Sequence, residues 1–161
     1  MSVDPGLASW LQLTLTPGLG AAAIRGLLSQ FGLPENILAT PRAQLERAAG
    51  PAAAALLRTE ETTAAVEQAL RWAQTPGHAI VTLADTVYPR LLLEIADPPP
   101  LLYAAGRLEL LGRPALAIVG SRNATAQGTR NAEQFAQAFS AAGLTIVSGL
   151  ALGIDAAAHR G

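Results

Sequence analysis

Two runs near the C-terminus share one punctuation: Ala117-Ile118-Val119-Gly120-Ser121-Arg122 and Thr145-Ile146-Val147-Ser148-Gly149-Leu150-Ala151-Leu152-Gly153-Ile154-Asp155. Each is a β-branched apolar stretch that breaks into small residues and then into a helix-like segment. Between them, residues 127–142 carry the clearest helical period of the chain, with Phe135, Ala136, Ala138 and Phe139 expected to pack inward and Gly143 as the stop. A strand, a crossover helix and a second strand make a parallel unit. Both small-residue turns then lie at the carboxyl ends of neighbouring strands, where open parallel sheets bind ligands. One turn carries an arginine, so the first expectation is an anionic ligand.

Upstream the period is helical. Helices are expected over 7–13, over 21–31 with Ile24, Leu27, Leu28 and Phe31 on one face, over 34–38, over 41–48, and again from Pro51 onward. Gly32 and Gly50 stand where a helix would stop, and Thr59 is a candidate N-cap with Glu60 and Glu61 suited to the positive helix end. Thr75-Pro76-Gly77 is the boundary candidate, dividing a helical domain (1–75) from an α/β domain (76–161). Beyond it, strands are expected over 78–83, 101–105, 116–119 and 144–147, with Tyr88-Pro89 opening a short helix and Asp97-Pro98-Pro99-Pro100 a rigid connector. The fold class is α/β: a small all-helical N-terminal domain followed by an incomplete Rossmann-like parallel sheet. The elements are too few to cover both faces of such a sheet, so the chain reads as truncated.

Composition closes several routes. Cysteine is absent, which removes disulfides, thiolate metal sites and a cysteine nucleophile. With two histidines, a metal centre has little to build from, and no cofactor is expected. No G-x-G-x-x-G or G-x-x-x-x-G-K-[ST] string occurs, against a dinucleotide dehydrogenase or a P-loop nucleotidase. No secretory signal is expected from the Met1–Pro5 start, and the longest uncharged apolar run is too short to span a bilayer. All eleven basic residues are arginine and the net charge is −1. Residues 1–75 hold five arginines against six carboxylates, and residues 76–161 six against six. Any binding to nucleic acid must therefore rest on a few placed arginines and backbone amides, not on bulk charge.

Each candidate has a plainer alternative. Gly120 lets the chain reverse and a ligand approach; Ser121 and Arg122 supply donors; Asn123 or Thr125 can cap the following helix. Alone this is equally an ordinary strand–helix turn with a solvated arginine. The second turn, with Ser148, Gly149 and Gly153, tips the balance toward a phosphate or nucleotide site. Asp155 and His159, four apart, are read as a local hydrogen bond near a helix start before an acid–base pair. The Thr16-Pro17-Gly18-Leu19-Gly20 turn looks like the hairpin of a helix-hairpin-helix module, where Gly18, Gly20 and Arg25 would make a secondary DNA contact. A purely structural corner is the slightly preferred reading.

The string Val119-Gly120-Ser121-Arg122, Gly128, then Ile146-Val147-Ser148-Gly149-Leu150-Ala151 with Gly153-Ile154-Asp155 and Ala158-His159, resembles the DprA/Smf family of bacterial DNA-processing proteins. Tyr88-Pro89, Leu92, Asp97-Pro98-Pro99, Leu102-Tyr103 and Gly106 extend the resemblance upstream, and the N-terminal helices are consistent with that family's small helical domain. The resemblance implies a cytoplasmic, non-catalytic protein of natural transformation. Such a protein binds and protects incoming single-stranded DNA, forms a homodimer and helps load the RecA recombinase. It places Arg122 on a DNA phosphate, helped by Gly120 and Ser121, with the Ser148–Gly153 turn as the adjacent wall. A nucleoside-monophosphate hydrolase of the lysine-decarboxylase-like group shares the Gly-Ser-Arg turn, but carries a Gly-Gly-Gly-type second turn where this chain has Ser148-Gly149-Leu150. A structural protein–protein module is the third reading.

Overall fold

The computed structural model describes residues 5–50 and 59–161, and the helix expected from Pro51 onward lies outside the described residues. By contact the chain divides into two compact units, Met1–Leu108 and Glu109–Gly161.

The first unit holds five described helices: α1 (Pro5–Thr14), α2 (Ala21–Phe31), α3 (Pro34–Ala39), α4 (Arg42–Ala49) and α5 (Glu60–Ala73). The apolar faces of the first four meet in one core of Leu13, Leu19, Ile24, Leu27, Ile37 and Leu45, with Leu28, Phe31 and Leu38 packed against it, and α5 packs on α1. The turn between α1 and α2 is held locally: the Thr16 hydroxyl donates to the Gln12 carbonyl at 2.6 Å, and the Leu19 amide to the Thr16 carbonyl at 3.2 Å. Thr59 caps α5, its hydroxyl oxygen accepting from the Thr62 amide at 3.2 Å, as the sequence implied.

The same unit contains an antiparallel ribbon of β1 (His78–Thr82) and β2 (Leu101–Ala105), paired from His78↔Ala105 to Thr82↔Leu101. Helices α5 and α1 both pack on β1, so the ribbon belongs with the helices by contact. The expected boundary at 75/76 falls inside this unit, at the turn from α5 into β1. The proline connector is anchored at several points. The Tyr88 hydroxyl donates to the Pro99 carbonyl at 2.8 Å, the Leu83 amide to the Pro100 carbonyl at 3.0 Å, and Arg25 reaches both the Asp97 carboxylate and, at 3.0 Å, the Pro98 carbonyl.

In the second unit, β3 (Ala115–Ala117) and β4 (Thr145–Val147) pair in parallel, joined by α6 (Ala126–Ala141), and α7 (Ile154–Arg160) follows. The expected βαβ unit and the α/β class are both present. Among the described residues, parallel pairing is confined to β3 and β4, and the two upstream strands pair antiparallel as a separate sheet.

The inward face of α6 differs from expectation. Ala132 and Ala136 are buried, whereas Phe135 is 58% and Phe139 36% exposed, their rings stacked on each other 6.1 Å apart. Helix α7 brings its own buried Ala157 and Ala158, and α6 makes its most extensive packing against that helix. Two alanine faces let helix axes approach closely; phenyl rings in the seam would hold them apart.

Candidate functional site

Parallel pairing in the register Ala115↔Thr145, Leu116↔Ile146 and Ala117↔Val147 sends both strands out of the sheet at one edge, and the Ile118 amide extends the ladder to the Val147 carbonyl at 3.0 Å. Residues 120–122 follow the first strand and residues 148–153 the second. The two turns touch. The Ile154 amide donates to the Ser121 carbonyl at 3.1 Å.

Glycines make this contact possible. Gly153 has φ +80, and a Cβ there would sit on the Ser121 and Arg122 carbonyl oxygens. At Gly120 a Cβ would lie 2.7 Å from the Ile154 side chain, and at Gly149 3.1 Å from a carboxylate oxygen of Asp155. The Ile154 side chain, which the sequence reading passed over, thus fills the space that Gly120 leaves and also reaches Gly128. Its only signal was an apolar residue directly after a glycine-bearing turn.

The turns carry their own hydrogen bonds. The Ser121 hydroxyl oxygen accepts from the Asn123 amide at 3.1 Å, and the Ser148 hydroxyl oxygen from the Leu150 amide at 3.2 Å. Of the two candidate caps, Thr125 takes the role: its hydroxyl oxygen accepts from the Gly128 amide at 3.0 Å. Helix α6 therefore begins beside the mouth with its positive end facing the turn. Arg122 is exposed and makes no ion pair or hydrogen bond among the described residues. A solvated guanidinium beside a helix start and two glycine-bearing turns can hold a phosphate by charge-assisted hydrogen bonds.

Leu150 stands out in the second turn. It has φ 55, the left-handed region that leucine rarely adopts, and its side chain is 77% exposed. Asp155 is buried, and its carboxylate accepts from the Ala151 amide at 3.4 Å. The expected bond between Asp155 and His159 is not made among the described residues: the carboxylate points back into the turn, and His159 is exposed. No cluster of three or more His, Cys, Asp or Glu side chains suited to a metal occurs among the described residues.

The secondary candidates part company. Gly18 (φ 79) and Gly20 lie exposed at the α1–α2 turn, and Gly20 precedes α2 with no side-chain cap. Arg25 has other work: it pairs with Asp97 and donates to the Pro98 carbonyl, tying α2 to the connector. A DNA phosphate would have to displace that carboxylate.

Residues 79–161 match the family described as DNA recombination-mediator protein A. A protein named Smf from Synechocystis sp. is 37% identical over 158 residues, covering 94% of this chain and 40% of that protein. The DNA processing protein DprA of Streptococcus pneumoniae is 47% identical over 78 residues, covering 48% of this chain and 27% of its own. The X-ray structure of that protein superposes with a TM-score of 0.66 at 30% identity, over 99% of this chain and 53% of the solved one. The chain thus spans about half the length of that solved structure, and less of the two sequences.

Proposed function

Because the chain belongs to the DNA recombination-mediator protein A (DprA/Smf) family, we propose that its paired turns grip the backbone of single-stranded DNA, with Arg122 on a phosphate. The observation that carries this reading is the joining of the two turns: the Ile154 amide on the Ser121 carbonyl sets Gly120-Ser121-Arg122 and residues 148–153 around one mouth, with Arg122 exposed at it. The Ser121 and Arg122 amides donate to no acceptor among the described residues, which leaves them for a ligand. In this reading the protein is a cytoplasmic DNA-binding factor and not an enzyme. It protects incoming DNA in natural transformation, acts as a homodimer and helps load the RecA recombinase.

Fluorescence anisotropy with labelled oligo-dT tests the site. Arg122→Ala is expected to weaken binding by about 1–3 kcal/mol, the range for a lost charge-assisted hydrogen bond. The slope of log affinity against log salt should also become shallower by about 0.7, one phosphate contact fewer on a single strand. A folded Arg122→Ala protein with unchanged affinity and slope removes Arg122 from the site. Incubation with adenosine monophosphate addresses the hydrolase alternative, and release of free adenine would overturn the non-catalytic reading.

A further inference from the structure

The two units differ in charge. Residues 109–161 carry four arginines against three carboxylates, and residues 1–108 seven against nine. The second unit therefore suits a polyanion, and the surface of the first suits a cationic partner.

One face of the first unit has the shape for such a partner. Strand alternation puts His78, Ile80 and Thr82 on the same side of the ribbon as their partners Ala105, Tyr103 and Leu101. Ile80 and Thr82 wall a cavity of about 280 Å³, whose apolar sides come from Leu7, Trp10 and Leu33 and whose acidic groups are Glu35 and Asp85. Among the described residues no arginine lines it. Asp85 is fixed in place, one carboxylate oxygen accepting from the Thr82 amide at 2.6 Å and the Thr82 hydroxyl at 3.0 Å. The Glu35 carboxylate has no hydrogen-bond or ion-pair partner among the described residues. Across the ribbon from Ile80 stands Tyr103, 47% exposed, edge-on to Trp72 at 5.1 Å, while Trp72 stacks on His78 at 4.2 Å. The whole chain has only seven Phe, Trp and Tyr residues, and three of them, Trp10, Trp72 and Tyr103, serve this one face.

We propose that this face docks a segment of a protein partner that combines an aliphatic side chain with a neighbouring lysine or arginine. The aliphatic group enters the space between Leu7, Trp10 and Leu33. The cation sits against Glu35 and Asp85, and Tyr103 covers the segment's flank. Tyrosine and tryptophan concentrate at protein interfaces because each supplies a large, rigid contact area at low entropic cost. Two carboxylates with no lining cation among the described residues disfavour the phosphates of a nucleic acid at this place. This inference concerns a different unit from the DNA mouth and does not depend on it.

Selection of a random-peptide display library on the immobilised full chain is the test. The expected sequences pair an aliphatic residue with an adjacent basic one. A synthetic peptide so recovered should bind about three- to tenfold more weakly to Glu35→Gln, and about tenfold more weakly or worse to Tyr103→Ala. Ala84→Tyr, at an exposed position lining the cavity, fills the hole without deleting a native contact and should abolish binding. Arg122→Ala should leave peptide affinity unchanged even where it weakens oligo-dT. The proposal is overturned if nothing is enriched, if the peptides lack a basic residue, or if they bind Glu35→Gln and Ala84→Tyr as tightly as the parent. Displacement of the peptide by oligo-dT would give the face to nucleic acid. Self-association of the chain that Ala84→Tyr abolishes would give it to a second copy. Either result ends the proposal.

Discussion

At the scale of single residues, the second turn contains two left-handed positions with opposite consequences. Gly153, at φ +80, has no room for a Cβ because the Ser121 and Arg122 carbonyls occupy it. Gly153→Ala combines backbone strain with a backbone clash and should destabilise the protein by more than about 1 kcal/mol, read as a lower urea midpoint. Leu150, at φ 55, bears the conformational cost with its side chain largely in solvent. Leu150→Gly removes strain of about 1 kcal/mol and gives back part of it as unfolded-chain entropy, so stability should hold or rise slightly. The sequence displayed both residues as parts of a turn. It did not show which one must be glycine, because that demand comes from carbonyls about thirty positions earlier. Tyr88 gives a pH signature of the same local kind. Burial pushes its phenol above the usual value near 10, with Arg25 pulling weakly the other way, and burial raises Tyr103 too. A phenol raised in the folded state favours the protonated form there. Its contribution is full below about pH 10 and is lost as pH rises through the folded value. Ultraviolet titration should show tyrosines ionising later in the native than in the urea-unfolded protein, with urea midpoints falling over the same alkaline window.

Among the elements, α6 shows where pattern reading succeeds and where it stops. Its approximate extent and its end before Gly143 were legible, and its cap was narrowed to Asn123 or Thr125, since caps and glycine stops are local chemistry. Of its expected buried face, Ala136 is buried, whereas Phe135, Ala138 and Phe139 are exposed and Ala132 is buried in their place. The helical period offered two apolar stripes, Ala132 with Ala136 and Phe135 with Phe139, and size alone favours the phenyl rings as core. Helix α7 packs on α6 and brings its own buried Ala157 and Ala158, a small-residue face that suits a close approach of the two axes. A substitution pair separates the stripes. Ala136→Leu, at a fully buried position, should cost about 1–3 kcal/mol by overpacking the seam. Phe135→Ser should change the urea midpoint far less, because its ring is mostly solvated. If Phe135→Ser proves the more damaging of the two, the alanine seam is not what holds α6. Thr125→Ala should cost about 1 kcal/mol through the lost cap, and it would also loosen the helix start beside the mouth.

For the whole molecule, the break in composition at Thr75-Pro76-Gly77 and the break in packing after Leu108 mark different things. The first is where the chemistry of the chain changes from helical period to strand period, and sequence reads such changes well. The second depends on which element each strand packs against, which no local pattern encodes. Between the two lie the ribbon and the connector, and both are tied back to the helices: Trp72 stacks on His78 and meets Tyr103, and Arg25 holds Asp97 and the Pro98 carbonyl. Cutting at 75 removes every one of those partners while leaving the Leu13–Leu45 core intact. Cutting at 108 removes none of them. A fragment of residues 1–75 should therefore be helical by circular dichroism but unfold at a lower temperature than a fragment of residues 1–108. In the longer fragment, Trp72 should keep the near-ultraviolet signal that its ring contacts produce. Equal midpoints for the two fragments would mean that the ribbon merely leans on the helical domain, and would support position 75 as the boundary of an independently folding part.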